Sequence, residues 1–190
     1  MLRRFSLALA LSLPLGQAQA FDLPSWSKPN TLPAAGTVQV AFTPGDNAVR
    51  LIVKAVEDAK YQVLVQTFSF TSRDIAYALV AAKQRGVDVQ MLADEEQTRS
   101  IATSRVRDVA AGGVPVYFDS EHASAHNKVM VIDAGNPGAA VVTGSFNFTQ
   151  AAQHRNAENL LILRGNPPLV NAYLANWKRH REHSRPYHRR

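Results

Sequence analysis

The chain has 190 residues, 46% apolar and 19% charged, a length that suits one globular domain with a sizeable core, not two. Its formal charge of +6 and pI of about 9.9 favour acidic partners such as nucleic acid or anionic lipid without choosing between them. With no cysteine, the sequence excludes a disulfide framework, cysteine-ligated zinc and a thiol nucleophile.

The N-terminus has the three parts of a secretory signal. Arg3 and Arg4 form a basic start, FSLALALSLPL from Phe5 to Leu15 an apolar core, and Ala18-Gln19-Ala20 a small-residue cleavage site. A bilayer-spanning helix needs roughly 20 residues, more than this apolar core offers. The expectation is a signal peptide over residues 1–20, cleaved near Ala20, with the mature, still basic chain in the periplasm or outside the cell. Pro24, Pro29 and Pro33 keep helix and central strand out of residues 21–36, which are expected to form an extended arm with Trp26 as a possible anchor.

From Gly36 onward strands and helices alternate. TVQVAFT (37–43) predicts a strand, and NAVRLIVKAVEDA a helix with Asp46 as candidate N-cap. YQVLVQTFSF (61–70) predicts a strand, residues 72–86 a helix capped by Ser72 and stopped by Gly86, and VDVQMLAD (87–94) the next strand. One helix is expected over roughly 97–111, ended by Gly112-Gly113, followed by the strand VPVYF. This order argues for an α/β sheet covered by helices. After it come a short strand VMVI, another between Val141 and Gly144, and NAENLLILR (156–164), whose LLIL run suggests burial on both faces. Pro167 and Pro168 then suit a helix start, with Val170, Tyr173, Leu174 and Trp177 as its apolar stripe. The domain is expected over 37–183 and a basic tail over 184–190. The basic run from Lys178 to Arg190 suits either a grip on phosphates or a solvated tail.

The chemistry concentrates in HNKVMVID (126–133) and TGSFNFT (143–149). Strand alternation puts His126 and Lys128 on one face and Asp133 on the other. An imidazole can attack phosphorus while an ammonium beside it neutralises the non-bridging oxygens of a phosphodiester. Ser145 and Asn147 offer a hydroxyl and an amide to the same oxygens. Glu158 starts a strand among apolar residues, where an unpaired carboxylate is unfavourable; an active-site imidazole is one partner, Arg155 or Arg164 another. Metal ligation is not expected, because cationic side chains replace a divalent clamp and the spaced pairs His122/His126 and His180/His183 lie in a loop and a charged tail.

HxK, four residues, Asp, then GSxN resembles the HKD motif of the phospholipase D superfamily, and the likeness covers most of residues 37–165. The resemblance implies the phospholipase D/nuclease-like fold: a single α/β domain with a mixed β-sheet flanked by helices on both faces. It implies catalytic roles for His126, Lys128 and Glu158, phosphate binding by Ser145 and Asn147, a structural role for Asp133, and no cofactor. The chain departs from the family pattern in one respect, a longer stretch, AGNPGAAVVT, between Asp133 and Gly144.

Cleavage through a covalent intermediate needs a nucleophile on one side of phosphorus and a proton donor on the other. His126 cannot occupy both sides, and the chain has a single HxK pattern, so a two-fold homodimer that joins two copies of His126 is expected, as in the single-motif bacterial nucleases of the family. In a monomer, His122 or His154 would have to serve as the acid. The expected activity is an exported, nonspecific endonuclease on DNA or RNA, working through a phosphohistidine and without membrane insertion. The alternatives are a phospholipase D acting on membrane phospholipids and a catalytically silent nucleic-acid-binding protein.

Overall fold

The computed structural model describes residue 29, residues 31–119 and residues 121–188. The expected signal peptide, its cleavage site and Trp26 lie outside the described residues. The compact unit that carries the secondary structure is Leu32–Arg190.

Eight strands form one mixed sheet. In chain order they are β1 (Thr37–Thr43), β2 (Gln62–Thr67), β3 (Asp88–Asp94), β4 (Val116–Asp119), β5 (Lys128–Ile132), β6 (Ala140–Gly144), β7 (Glu158–Arg164) and β8 (Arg185–Pro186). The helices are α1 (Ala48–Asp58), α2 (Arg73–Gln84), α3 (Glu95–Ser100), α4 (Val106–Ala111), α5 (Gln150–His154) and α6 (Pro167–His183). Across the sheet the order is β1-β7-β6-β5-β2-β3-β4-β8. β2, β3 and β4 run parallel, joined by helical crossovers, whereas β5, β6, β7 and β1 pair antiparallel. The fold is therefore α/β, with one mixed sheet and helices on both faces.

Alternation along the strands divides the core between the two faces. On one face, Ile52 and Val56 of α1, Ile75 and Leu79 of α2, and Val109 of α4 pack with Val63, Val65, Met91, Met130 and Ile162. Each such side chain, fully buried, contributes about 1.5–3 kcal/mol. On the other face Val170 and Trp177 of α6 meet Leu64, Leu92, Val129, Val131 and Val141. The Trp177 indole donates to the Val65 carbonyl at 3.1 Å, which fixes where α6 lies on the sheet.

Four local expectations need correction. Asn47, not Asp46, caps α1 through the Arg50 N–H, because the Asp46 carboxylate is engaged by the Phe42 N–H. The helix expected over 97–111 is two short ones: Asp94 caps α3 at the Gln97 N–H, and the intervening Arg105 N–H is drawn to the Phe70 carbonyl. Strand β7 is fully buried on one face only; Leu160 and Ile162 are inside, while Leu161 and Leu163 are half-buried because α6 does not reach across to β1. The chain past residue 183 is not a free tail as far as it is described. Arg185–Pro186 pair with β4 as β8, Tyr187 packs edge-on to Phe118, and Arg185 bridges to Glu95 at 2.6 Å.

The long connection after Asp133 is a turn with Gly135 and Gly138 at positive φ, and β5 and β6 still pair through Met130–Val142, Val131–Val141 and Ile132–Ala140. It closes the end of the hairpin remote from His126, so the additional residues do not crowd the site.

Candidate active site

Strands β5, β6 and β7 end or begin together at one edge of the structure, and their terminal residues surround an open depression of about 450 Å³. His126, Lys128, Ser145, Asn147 and Glu158, separated by up to 32 positions in sequence, all line it.

Lys128 is the first residue of β5 and only 6% exposed, whereas His126, two residues earlier, is exposed. The Lys128 Nζ lies 2.8 Å from Nδ1 of His126 and also donates to the His126 carbonyl. Phe68, which follows β2, stacks against both: its ring centroid is 4.4 Å from that of His126 and 5.1 Å from Nζ. The apolar ring shields the ammonium from water while its face attracts the positive charge. Burial pushes the Lys128 ammonium down to about 8, and the negative charge of Glu158 opposes the shift.

The second motif is shaped by its phenylalanines. Phe146 and Phe148 are fully buried, so the residues between and before them, Asn147 and Ser145, stay at the surface of the depression. Gly144 makes the approach possible. Its φ is +143°, and a Cβ there would stand 2.3 Å from the Asn159 carbonyl oxygen. Downstream, the Phe148 carbonyl accepts from the N–H groups of Thr71 and Ser72, and Thr149 caps α5.

Glu158 and Ser145 form a braced unit. The Ser145 hydroxyl donates to Glu158 at 2.6 Å and accepts from the Asn159 N–H at 3.0 Å and the Asn159 amide at 3.2 Å. The other Glu158 oxygen accepts from the Asn156 amide at 3.0 Å. Glu158 thus meets neither Arg155 nor Arg164, and no hydrogen bond joins it to His126 within the chain. The geometry instead gives it an electrostatic hold on Lys128. Ser145, with its proton committed to Glu158, acts as a brace. Asn147 also lines the depression; its Oδ1, an acceptor, is buried without a hydrogen-bond partner, so it is the Nδ2 amide that can donate to an anionic oxygen there.

Asp133 lies past the far end of β5, about 17 Å from Lys128 at strand rise. Its carboxylate accepts from three successive backbone N–H groups, Lys60 at 2.9 Å, Tyr61 at 2.7 Å and Gln62 at 2.8 Å, while its own N–H donates to the Gln62 carbonyl. This ties the end of β5 to the start of β2 and touches no reacting group.

A larger depression of about 740 Å³ lies alongside and shares Asn147. Arg73, Arg105 and Arg155 line it together with Ser69, Thr71 and Gln150. Neither His122 nor His154 lines the site of His126. His122 is grouped with Asp119, His180 and His183, so the pair His122/His126 is split and His122 joins the pair expected in the tail. Residue patterning did not reveal Phe68, Asn156 or Asn159; the two asparagines share the NAEN stretch with Glu158, and this clustering of amides around a carboxylate is the signal that was available.

Comparison with known proteins identifies the family and the fold. Residues 52–181 match the family domain described as cardiolipin synthase, PLD-like domain. A relative in Rickettsia typhi named phospholipase D is 33% identical over 168 residues, covering 88% of this chain and 76% of that protein. The crystal structure of Nuc from Salmonella typhimurium, a phospholipase D family member, superposes with a TM-score of 0.75 at 36% identity, covering 82% of this chain and all of that one. NucT from Helicobacter pylori shares the fold, with a TM-score of 0.72 at 21% identity over 80% of this chain and all of that one. The match spans more than half of the sequence and includes both halves of the His126 site, and on that basis the chain belongs to the phospholipase D superfamily.

Proposed function

We propose that this superfamily hydrolase is an exported endonuclease that cleaves nucleic-acid phosphodiester bonds at a site shared by two copies of the chain. The observation that carries this reading is a lone His126–Lys128 site opening beside a depression lined by three arginines. A polyanion needs cationic surface on either side of the bond that is cut, and a single lipid headgroup does not.

In the proposed mechanism His126 of one copy attacks phosphorus and the bond to the leaving ester oxygen breaks. His126 of the second copy delivers a proton to that oxygen. Water then attacks the phosphohistidine, the second imidazole takes its proton, and the phosphorus–nitrogen bond breaks to release a phosphate monoester. Lys128 and Asn147 hold the non-bridging oxygens. Glu158, braced by Ser145, keeps the Lys128 ammonium charged against the effect of burial.

The dimer has physical support next to the site. Val38, Val40 and Phe42 of the edge strand β1 are 61%, 49% and 61% exposed and point to one face. Through their partners Leu163, Leu161 and Asn159 this apolar strip leads toward Thr143 at the rim of the depression. A second copy of the chain is the occupant that would both cover it and bring in the second imidazole.

The second reading is a phospholipase, favoured by the name of the Rickettsia typhi relative. Among the described residues no helix is long and apolar enough to cross a membrane. Incubating purified protein with plasmid DNA and with phosphatidylcholine vesicles, beside His126→Ala, decides between them. The nuclease reading expects nicked and linear plasmid from wild type, none from the variant, and an acid-labile phosphoryl adduct on trapped wild-type protein. Choline release without plasmid cleavage would replace it with the phospholipase.

A further inference from the structure

Outside the catalytic depression, three imidazoles converge on one buried carboxylate. Asp119 ends β4 with its side chain 2% exposed. Nδ1 of His180 stands 2.8 Å from Asp119 Oδ2, Nε2 of His183 3.2 Å from the same oxygen, and Nδ1 of His122 3.2 Å from Oδ1. The ring centroids form a nearly regular triangle with sides of 4.9, 5.2 and 5.3 Å. All four donor atoms lie within 4.8 Å of one another.

We propose that Asp119, His122, His180 and His183 bind a structural divalent zinc ion. Zinc accepts imidazole nitrogen and carboxylate oxygen at about 2.0–2.2 Å in a tetrahedron, whose edges are then about 3.3–3.5 Å. The carboxylate-to-nitrogen separations of 2.8–3.2 Å are close to such edges, so small side-chain movements suffice to seat the ion. Three nitrogens in the donor set disfavour calcium and magnesium, which take oxygen ligands. Four protein ligands leave no open position for a reacting water, which makes the role structural.

Two further observations point to an ion. Nε2 of His183 is buried and has no hydrogen-bond partner although it faces Asp119; a metal would satisfy it. The opposite nitrogen of the same ring, Nδ1, lies 3.1 Å from the Glu121 carboxylate. A carboxylate on the outer nitrogen is how ligating histidines are usually oriented and made more basic.

The ion would join the end of β4, the loop leading to His126 and the last turn of α6. That loop is already held once, by the Ala125 N–H on the Asp94 carboxylate at 2.9 Å. A second tie at His122 fixes the chain four residues before His126, so the site braces the nucleophile from a distance without entering the reaction.

The test is metal analysis of tag-free, full-length protein, loaded with Zn²⁺ and dialysed. We expect one zinc per chain by mass spectrometry, visible absorption of a four-coordinate centre after Co²⁺ replacement, and a rise in the unfolding midpoint with Zn²⁺ but not with Mg²⁺. Glu121→Gln should weaken Zn²⁺ about 10-fold in competition with a chromogenic chelator. The double variant His180→Gln/His183→Gln should lose stoichiometric zinc. Only traces of zinc on loaded wild type, or a full equivalent retained by the double variant, overturns the proposal. Because none of these readouts uses cleavage, the outcome is independent of the nuclease assignment.

Discussion

Asp133 is the motif residue for which structure and chemistry make opposite forecasts, so its replacement is informative. Alanine removes an acceptor that takes three backbone N–H groups, from Lys60, Tyr61 and Gln62. Hydrogen bonds to a charged acceptor contribute about 1.5–3 kcal/mol each, but the sum is reduced because Lys60 and Tyr61 are exposed and water can replace part of the loss. Residue 133 also sits at φ +48°, a conformation that aspartate and asparagine tolerate better than alanine, by about 1 kcal/mol. Together these place Asp133→Ala about 4–6 kcal/mol below wild type. Asp133→Asn keeps the conformation and one oxygen for Tyr61 and Gln62, but turns an amide donor toward the Lys60 N–H; about 2–3 kcal/mol is expected. Urea denaturation followed by fluorescence measures both, and plasmid cleavage at low temperature measures the folded fraction's activity. Full stability with abolished cleavage in Asp133→Asn would refute the structural assignment and return the residue to the chemistry.

Four further outcomes are expected. With Lys128 pushed down to about 8, kcat/KM for plasmid should decline as pH rises through that value, as the ammonium that holds phosphate loses its proton; a profile flat to pH 10 would contradict the role. The same shift should make stability rise with pH from about 8 toward 10.5, because in that interval the unfolded chain binds a proton that the folded one does not; Lys128→Met should remove this slope in thermal melts. Gly144→Ala places a Cβ against the Asn159 carbonyl at a φ of +143° and should destabilise by roughly 2–4 kcal/mol, with cleavage falling further than stability as Ser145 and Asn147 are displaced. Val40→Asp, on an exposed edge position, should leave the fold within about 0.5 kcal/mol of wild type but yield a monomer by light scattering and little cleavage; an active monomer would eliminate the shared site.

Much of the molecule was legible because local signals and tertiary structure agree. The strand–helix alternation from β1 to β4 and the apolar stripe of α6 were readable from periodicity, and Ser72 caps α2 as its position suggested. The HxK and GSxN segments were readable as one site through their likeness to the HKD motif, although the stretch between them is longer here, and both line one depression. What escaped depends on contacts distant in sequence. Phe68 acquires its role only when β2 lies beside β5, and His180 meets Asp119 across 61 residues. The break in the helix expected over 97–111 follows from a backbone bond between Arg105 and Phe70, invisible to a window that sees only its own residues. Glu158 shows the limit of argument by residue type: an imidazole was a plausible partner for its carboxylate, yet Ser145 and Asn156 satisfy it.

The extended turn between β5 and β6 has an implication for how such a protein can be altered. Its glycine-containing bend projects at the end of the sheet opposite His126, and the strand pairs on either side of it are intact. Growth there has been absorbed without disturbing register, so this bend is a natural graft point. A peptide epitope, a fluorophore or a targeting module spliced at Asn136–Gly138 should travel with a catalytically competent protein, a freedom that the crowded opposite rim, where Gly144 lies against Asn159, does not offer.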